Sequence, residues 1–272
     1  MIVQHNMAAL NTNRQLGVSN TNLAKSTEKL SSGYKINRAG DDAAGLSISE
    51  KMRGQIRGLE QGSTNAQDGI SLIQTAEGAL NEVHSVLQRM RELTVQAAND
   101  TNVTADRDAI ASEQKALVEE IDRIGDQTEF NTMKLLNGDF EDKKLQVGAN
   151  TEQSIAISIG DMTSSGLGVD GAGDEMGEYD AATAFIETVD AAITSVSTQR
   201  SDLGAIQNRL EHTIANADNT AENLQSAESR IRDVDMAEEM VKYSKSSILQ
   251  QAGQSMLAQA NQQTQGVLSL LR

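Results

Sequence analysis

Apolar residues recur along this 272-residue chain at intervals of seven, with mostly polar positions between them. Near the N-terminus Ala9, Leu16, Leu23 and Leu30 keep that spacing, separated by Asn, Thr, Ser, Gln and Lys. So narrow a stripe predicts a helix that is marginal by itself. Ser32-Gly33 and the polar run Asn37-Arg38-Ala39-Gly40-Asp41-Asp42 interrupt it, and Asp41 or Asp42 is placed to cap the next helix. From about Asp42 to Asn99, Met52, Leu59, Ala66, Ile73, Leu80 and Leu87 hold consecutive heptad positions. Ile48, Ile56 and Ile70 flank this seam early, and Ala76, Val83, Met90 and Ala97 flank it later. The pattern predicts one coiled-coil helix, roughly 85 Å long at 1.5 Å per residue.

Asn99-Asp100-Thr101-Asn102 reads as a polar turn. A second helix starts at Thr104 or Asp106, carries Ile110, Leu117, Ile121 and Ile124 on one face, and ends near Gly125. Asn137-Gly138 is a turn signal. Lys144 to Val147, the turn Gly148-Ala149-Asn150, and Ser154 to Ile159 predict a β-hairpin, with Ile155, Ile157 and Ile159 on one face. Residues 160–180 are glycine-rich without helical period and read as an exposed loop, with a short strand as the alternative. Helical pattern returns near Ala181, where Val189, Val196, Leu203, Leu210, Ala217, Leu224 and Ile231 form a second long seam. After Asp233 to Asp235 comes a last amphipathic segment with Val241, Ile248, Ala252, Met256, Ala260, Val267 and Leu271, its other side rich in Gln, Ser and Asn.

Each long seam needs an opposing one, so helices from the two ends of the sequence run together and the middle forms the turn-around. The expected fold is mainly α: a long antiparallel helical coiled-coil bundle with a small β-hairpin region. Residues 1–34 and 235–272 are least able to fold alone, because one stripe without a closed core awaits partners.

Composition agrees with this picture. Proline is absent, which permits very long helices. Aromatic residues make up 2%, so the core rests on aliphatic side chains and Met. Glycines 45, 54, 58, 62, 69 and 78 lie inside the long helical pattern. Each costs about 1 kcal/mol relative to alanine, so packing must offset the loss, and glycine lets a neighbouring backbone approach closely. A net charge of −16 disfavours nucleic acid and anionic membrane surfaces. No run approaches a spanning helix, so membrane insertion is not expected. Cysteine is absent, excluding disulfides and thiolate metal sites. The N-terminus MIVQHNMAAL lacks the pattern of a cleaved signal peptide.

Candidate chemistry is sparse. His5, His84 and His212 have no metal-ligand spacing, Glu211-His212 is not a catalytic arrangement, and no phosphate-binding glycine loop follows a strand. No catalytic, cofactor-binding or metal-binding residue is assigned, and the chain reads as a structural protein, not an enzyme.

The run from Leu30 to Asn99, LSSGYKINRAGDDAAGLSISEKMRGQIRGLEQGSTNAQDGISLIQTAEGALNEVHSVLQRMRELTVQAAN, resembles the N-terminal core of bacterial flagellin. SQRSDLGAIQNRLEHTI within Thr198 to Ile214, AESRIRDVDMAEEM from Ala227 to Met240, and ILQQAGQSMLAQANQQTQGVLSLLR from Ile248 to Arg272 resemble its C-terminal core. The resemblance implies a filament subunit in a short form without large outer domains. Residues 1–40 would be an inner-tube helix and connector, 41–160 core helices and hairpin, and 161–180 a short variable loop. Residues 181–232 would be the C-terminal core helix and 233–272 the second inner-tube helix. Leu16, Leu23, Leu30, Ile248, Met256, Val267 and Leu271 would serve inner-tube assembly. Implied partners are other copies, the flagellar cap, hook-junction proteins, an export chaperone and the type III export apparatus. The chain would work outside the cell, exported unfolded without a cleaved signal peptide.

The family's Toll-like receptor 5 motif corresponds here to Gln88-Arg89-Met90-Arg91-Glu92-Leu93-Thr94-Val95-Gln96. The resemblance assigns receptor contact to Gln88, Arg89, Leu93, Ile110 and Glu113, with subunit contact or a solvated face as the competing role. Alternatives for the whole chain are a hook-filament junction protein and a non-flagellar coiled-coil scaffold such as a chemoreceptor stalk.

Overall fold

The structure, a computed structural model, describes residues 6–173 and 179–269, with side-chain surroundings through residue 263. Helices α1 (Met7–Ser32), α2 (Ala43–Ala97) and α3 (Thr104–Gln127) come first. Four short strands follow: β1 (Glu129–Phe130), β2 (Met133–Lys134), β3 (Lys143–Gln146) and β4 (Ser154–Ile157). The helices α4 (Ser164–Leu167), α5 (Tyr179–Arg232) and α6 (Met236–Ser269) complete the order. The chain divides into a terminal unit, residues 1–54 with 223–272, and a middle unit, residues 55–222. Both α2 and α5 contribute to each.

In the terminal unit α1 and α6 pack antiparallel. Asn6 Nδ2 donates to the Ala260 carbonyl at 3.0 Å, Leu16 lies at Gly253, and Ser26 Oγ donates to Glu239 Oε1 at 2.6 Å. As α1 advances, its partners on α6 retreat. Positions at alternating spacings of three and four face inward, as in a two-helix seam. They are Ala9, Thr12, Leu16, Ser19, Leu23, Ser26 and Leu30 on α1, and Glu239, Tyr243, Ser246, Gln250, Gly253, Leu257 and Ala260 on α6. α1 begins with Asn6 Oδ1 accepting from the Ala9 amide at 3.0 Å and ends at Gly33, whose φ of 77° suits a residue without a Cβ.

The connector beyond α1 is tied to the α5–α6 junction. The Lys35 amide donates to the Arg232 carbonyl at 2.6 Å, and the Val234 amide donates to the Gly33 carbonyl at 3.0 Å. The Arg232 guanidinium lies 4.5 Å above the Tyr34 ring and pairs with Glu50 at 3.2 Å. Asp42 caps α2: its Oδ1 accepts from the Gly45 amide at 2.9 Å. Asp41 instead closes the loop before it, its Oδ2 accepting from the Arg38 and Asn37 amides. Those two donors, aided by the charges of Lys29 and Lys25, hold the Asp41 carboxyl below the usual carboxylate range.

The middle unit holds the hydrophobic core. Ile73, Leu80, Leu87, Met90 and Leu93 of α2, Ile110 and Ile121 of α3, and Val189, Val196, Leu203 and Leu210 of α5 are buried together. α2 and α5 run antiparallel: Arg91 pairs with Asp190 at 2.6 Å, Arg200 with Glu77 at 3.8 Å, and Leu210 lies beside Gly69.

The expected hairpin forms, with Leu145 opposite Ile155. Its ladder ends at Ile157, but Ile159 remains buried and its amide donates to the Phe140 carbonyl at 2.8 Å. The hairpin crosses α2 at glycines. A Cβ on Gly58 would lie 2.6 Å from that of Ala149, and one on Gly62 would lie 2.7 Å from the Val147 carbonyl carbon and oxygen. One on Gly69 would collide with Leu145. Close backbone approach therefore explains Gly58 and Gly62, whereas Gly69 makes room for the side chains of Leu145 and Leu210. Gly54 and Gly78 have no such neighbour in this structure.

Two features depart from the sequence pattern. β1 and β2 form an additional hairpin, Glu129 opposite Lys134, turning at Asn131 and Thr132 with φ of 49° and 64°. And residues 161–173 are not an exposed loop. Met162, Leu167, Val169 and Ala172 are buried, Thr163 caps α4, and the Ser164 amide donates to Asp122 at 2.9 Å. These apolar residues are too few and unevenly spaced to show a period, so only three-dimensional placement reveals them as part of the core. The rest of the expected loop includes residues 174–178, which lie outside the described residues.

Candidate assembly and recognition surfaces

The terminal unit is short of core. Among the described residues, Ile36 is its single buried hydrophobic. The seam between α1 and α6 is built largely from small or polar α6 residues, Ser246, Gln250, Gly253 and Ala260. Larger apolar residues of α6 are left outside it: Val241 is 68% exposed, Ile248 65% and Met256 57%, with Met240 and Leu249 also exposed. Sequence reading placed Val241, Ile248, Met256 and Ala260 on one apolar side. The structure puts Ala260 in the seam and the other three outside it. Ile248 and Met256 are thus available to a partner, while Leu16, Leu23 and Leu30 are half-buried against α6. Val267 lies in the part of α6 whose side chains are not described, and Leu271 and His5 lie outside the described residues.

Glu239 is the unexpected member of the seam. It is buried, accepts from Ser26 Oγ, and has Lys242 Nζ 3.6 Å away. The hydrogen bond to Glu238 first, and its charge with that of Glu239, raise the Lys242 pKa. Ser19 and Ser26, spaced by seven within a polar run, were the available sequence signal for this face.

On the middle unit, the receptor-motif residues separate. Gln88, Arg89 and Glu113 are exposed. Arg89 spans α2 and α3, its Nε and Nη2 donating to Glu113 Oε1 at 3.0 and 2.9 Å, with Nη1 at 3.1 Å from Glu92. Glu113, then Glu92, raises the Arg89 pKa through these bonds. Such exposed pairs are screened by water and orient side chains more than they stabilise the fold.

Leu93 and Ile110, in contrast, are only 2% and 6% exposed and belong to the core. The resemblance reads both as receptor contacts, and in the structure they present little surface to a partner. Four residues on a helix advance about 40° around the axis, enough to carry the chain from the exposed flank at Arg89 to the core at Leu93.

Beneath this flank lies a polar bond that sequence reading missed. Gln114 of α3 is fully buried, its Nε2 donating to the Met90 carbonyl at 2.8 Å and to Thr94 Oγ1 at 3.0 Å. Thr94 Oγ1 also donates to the Met90 carbonyl at 2.7 Å. His84 is half-buried with Nε2 3.0 Å from Gln88 Nε2, and His212 is exposed.

Comparison with known proteins places both ends of the chain. Residues 3–141 match the bacterial flagellin N-terminal helical region, and residues 186–271 match the bacterial flagellin C-terminal helical region. The chain is 57% identical to a flagellin of Halalkalibacterium halodurans over 272 residues, covering all of both chains. It is 52% identical to a flagellin of Bacillus subtilis over 304 aligned positions, again covering both in full. It is 53% identical to the flagellar filament 33 kDa core protein of Treponema phagedenis, with both covered in full. A solved putative flagellar hook-associated protein from Vibrio parahaemolyticus superposes with a TM-score of 0.61 at 12% identity, over 71% of this chain and all of that one. At that identity the likeness concerns the fold alone.

Proposed function

Because the chain belongs to the bacterial flagellin family, whose members build the external flagellar filament and are not enzymes, we propose that it is exported unfolded and folds as it joins the filament used for swimming. The outward apolar face of α6 carries this reading, since Val241, Ile248 and Met256 are left uncovered by α1. A helix pair with so little core gains stability when other copies cover that face, so folding of the ends and polymerisation are coupled. An unfolded or loosely folded end also suits passage through the type III export apparatus with an export chaperone. Junction proteins and the cap then bound the filament at its two ends. Seeding purified chain with filament fragments should give long filaments under electron microscopy, and in dilute solution proteases should cut the ends before the middle. Discrete dimers with protease-resistant ends would defeat this reading and favour a stalk-like scaffold.

A second reading concerns the free subunit. Recognition by Toll-like receptor 5 is supported by the matching motif and by the exposure of Gln88, Arg89 and Glu113 on adjoining helices. Arg89→Ala should weaken binding of monomer to the receptor ectodomain by about tenfold, the scale of removing an exposed charge-bearing anchor. Unchanged affinity in a titration of the purified ectodomain would remove Arg89 from the surface.

A further inference from the structure

Charge is distributed very unevenly. Residues 1–54 and 223–272 carry 12 Lys and Arg against 9 Asp and Glu, whereas residues 55–222 carry 11 against 30. The terminal unit is mildly basic within a chain of net charge −16.

Four of those 12 basic groups converge at one place. An open groove between α1 and α6 is lined by Lys25 and Lys29 from one helix and Lys242 and Lys245 from the other, with Ser26 and Glu239 at its floor. Glu239 is buried, bonded to Ser26 and faced by Lys242, whose charge it offsets, so Lys25, Lys29 and Lys245 set the groove's net positive charge. Lys242 is further compensated by Glu238 at 2.8 Å. Lys25, Lys29 and Lys245 have no ion-pair partner among the described residues. Leu249, which borders the groove, is half exposed and continues the uncovered apolar face of α6.

We propose that this lysine-rimmed groove docks the acidic middle unit of a second copy of the chain. This rests on the filament reading, since polymerisation brings terminal and middle units of different copies to high local concentration. Complementary charge fixes which surfaces meet and speeds their encounter, while like-charged middle units repel one another. The groove's attraction opposes that repulsion and would orient the incoming copy.

The test is seeded polymerisation of the full chain carrying Lys25→Glu and Lys29→Glu, beside a control carrying Arg14→Glu and Lys51→Glu. Both variants shift net charge equally, and Arg14 and Lys51 are exposed residues of the terminal unit that do not line the groove. With unchanged helix content by circular dichroism, the groove variant should raise the critical concentration by about tenfold at low salt, as loss of charge complementarity does. The difference from wild type should shrink to about twofold or less near 0.5 M NaCl, where the Debye length is only a few ångströms. The control should shift less than the groove variant at every salt concentration. Equal shifts in the two variants would mean that total charge governs assembly, and the docking surface falls. A groove variant that assembles like wild type overturns it as well. Wild-type chain that forms no filaments from seeds fails differently, because it removes the polymer on which docking depends.

Discussion

Gly62→Val should destabilise the middle unit by about 3 kcal/mol, the upper range for forcing bulk into a closed contact. The reason is local and specific. A Cβ at Gly62 would stand 2.7 Å from both the carbonyl carbon and oxygen of Val147, and 3.0 Å from the Gly148 amide nitrogen. Those are backbone atoms of the hairpin, which cannot rotate away as a side-chain tip can. Either α2 bends or the hairpin lifts, and lifting exposes Val147, Ile155 and Ile157, all buried. The bond from Asn65 Nδ2 to the Gln146 carbonyl, 2.9 Å, would break with it.

Gly78→Ala in the same helix provides the opposite sign. Nothing lies within 4 Å of its Cβ position. It should be stabilising by about 0.5–1 kcal/mol through helix propensity alone. Urea unfolding followed by circular dichroism measures both. A Gly62→Val midpoint equal to wild type would mean that the hairpin does not press on α2 in solution.

Removing residues 236–272 should abolish filament formation while the middle unit keeps its cooperative unfolding. The deletion takes away α6, its exposed apolar face, and the partner of α1. Helix α1 then retains Leu16, Leu23 and Leu30 with nothing opposite them, and a lone helix with so narrow a stripe is unstable in water. None of the buried core residues of the middle unit belongs to the deleted segment. Electron microscopy after seeding and thermal unfolding of the truncated chain give the two readouts. Filaments of normal length from truncated chain would show that assembly does not depend on α6. Loss of the cooperative transition would show instead that the middle unit requires the terminal helices.

Long elements were legible in the sequence because one physical rule governs many residues at once. The α2 seam through Met52, Ile73 and Leu87 and the α5 seam through Val189 and Leu210 predict helices that the structure contains, at Ala43–Ala97 and Tyr179–Arg232. The β3–β4 hairpin was legible from alternation at Ile155 and Ile157. Short elements were not. The β1–β2 turn uses Asn131-Thr132 instead of the Asn-Gly or Asp-Gly pairs that advertise such hairpins, and its strands are two residues each. Met162, Leu167, Val169 and Ala172 are buried without any period among them.

At the candidate surfaces the division is similar. Exposure of Arg89 and Glu113 agrees with their charge, but the sequence does not show that they bond to each other across α2 and α3. Nor does it show that Leu93 turns inward, because a residue on the flank of a seam can face either way until a neighbouring helix is placed.

The sequence by itself determined that this protein is built of long helices with thinly apolar ends, since heptad spacing and the absence of proline act locally and cumulatively. Tertiary structure decided which glycines receive the hairpin, which of two adjacent aspartates caps α2, and which side of α6 meets α1. It placed Glu239, Ser246 and Gly253 in that seam and left Val241, Ile248 and Met256 outside. Those outcomes depend on contacts between residues far apart in the chain, and a local pattern carries no record of its distant partner.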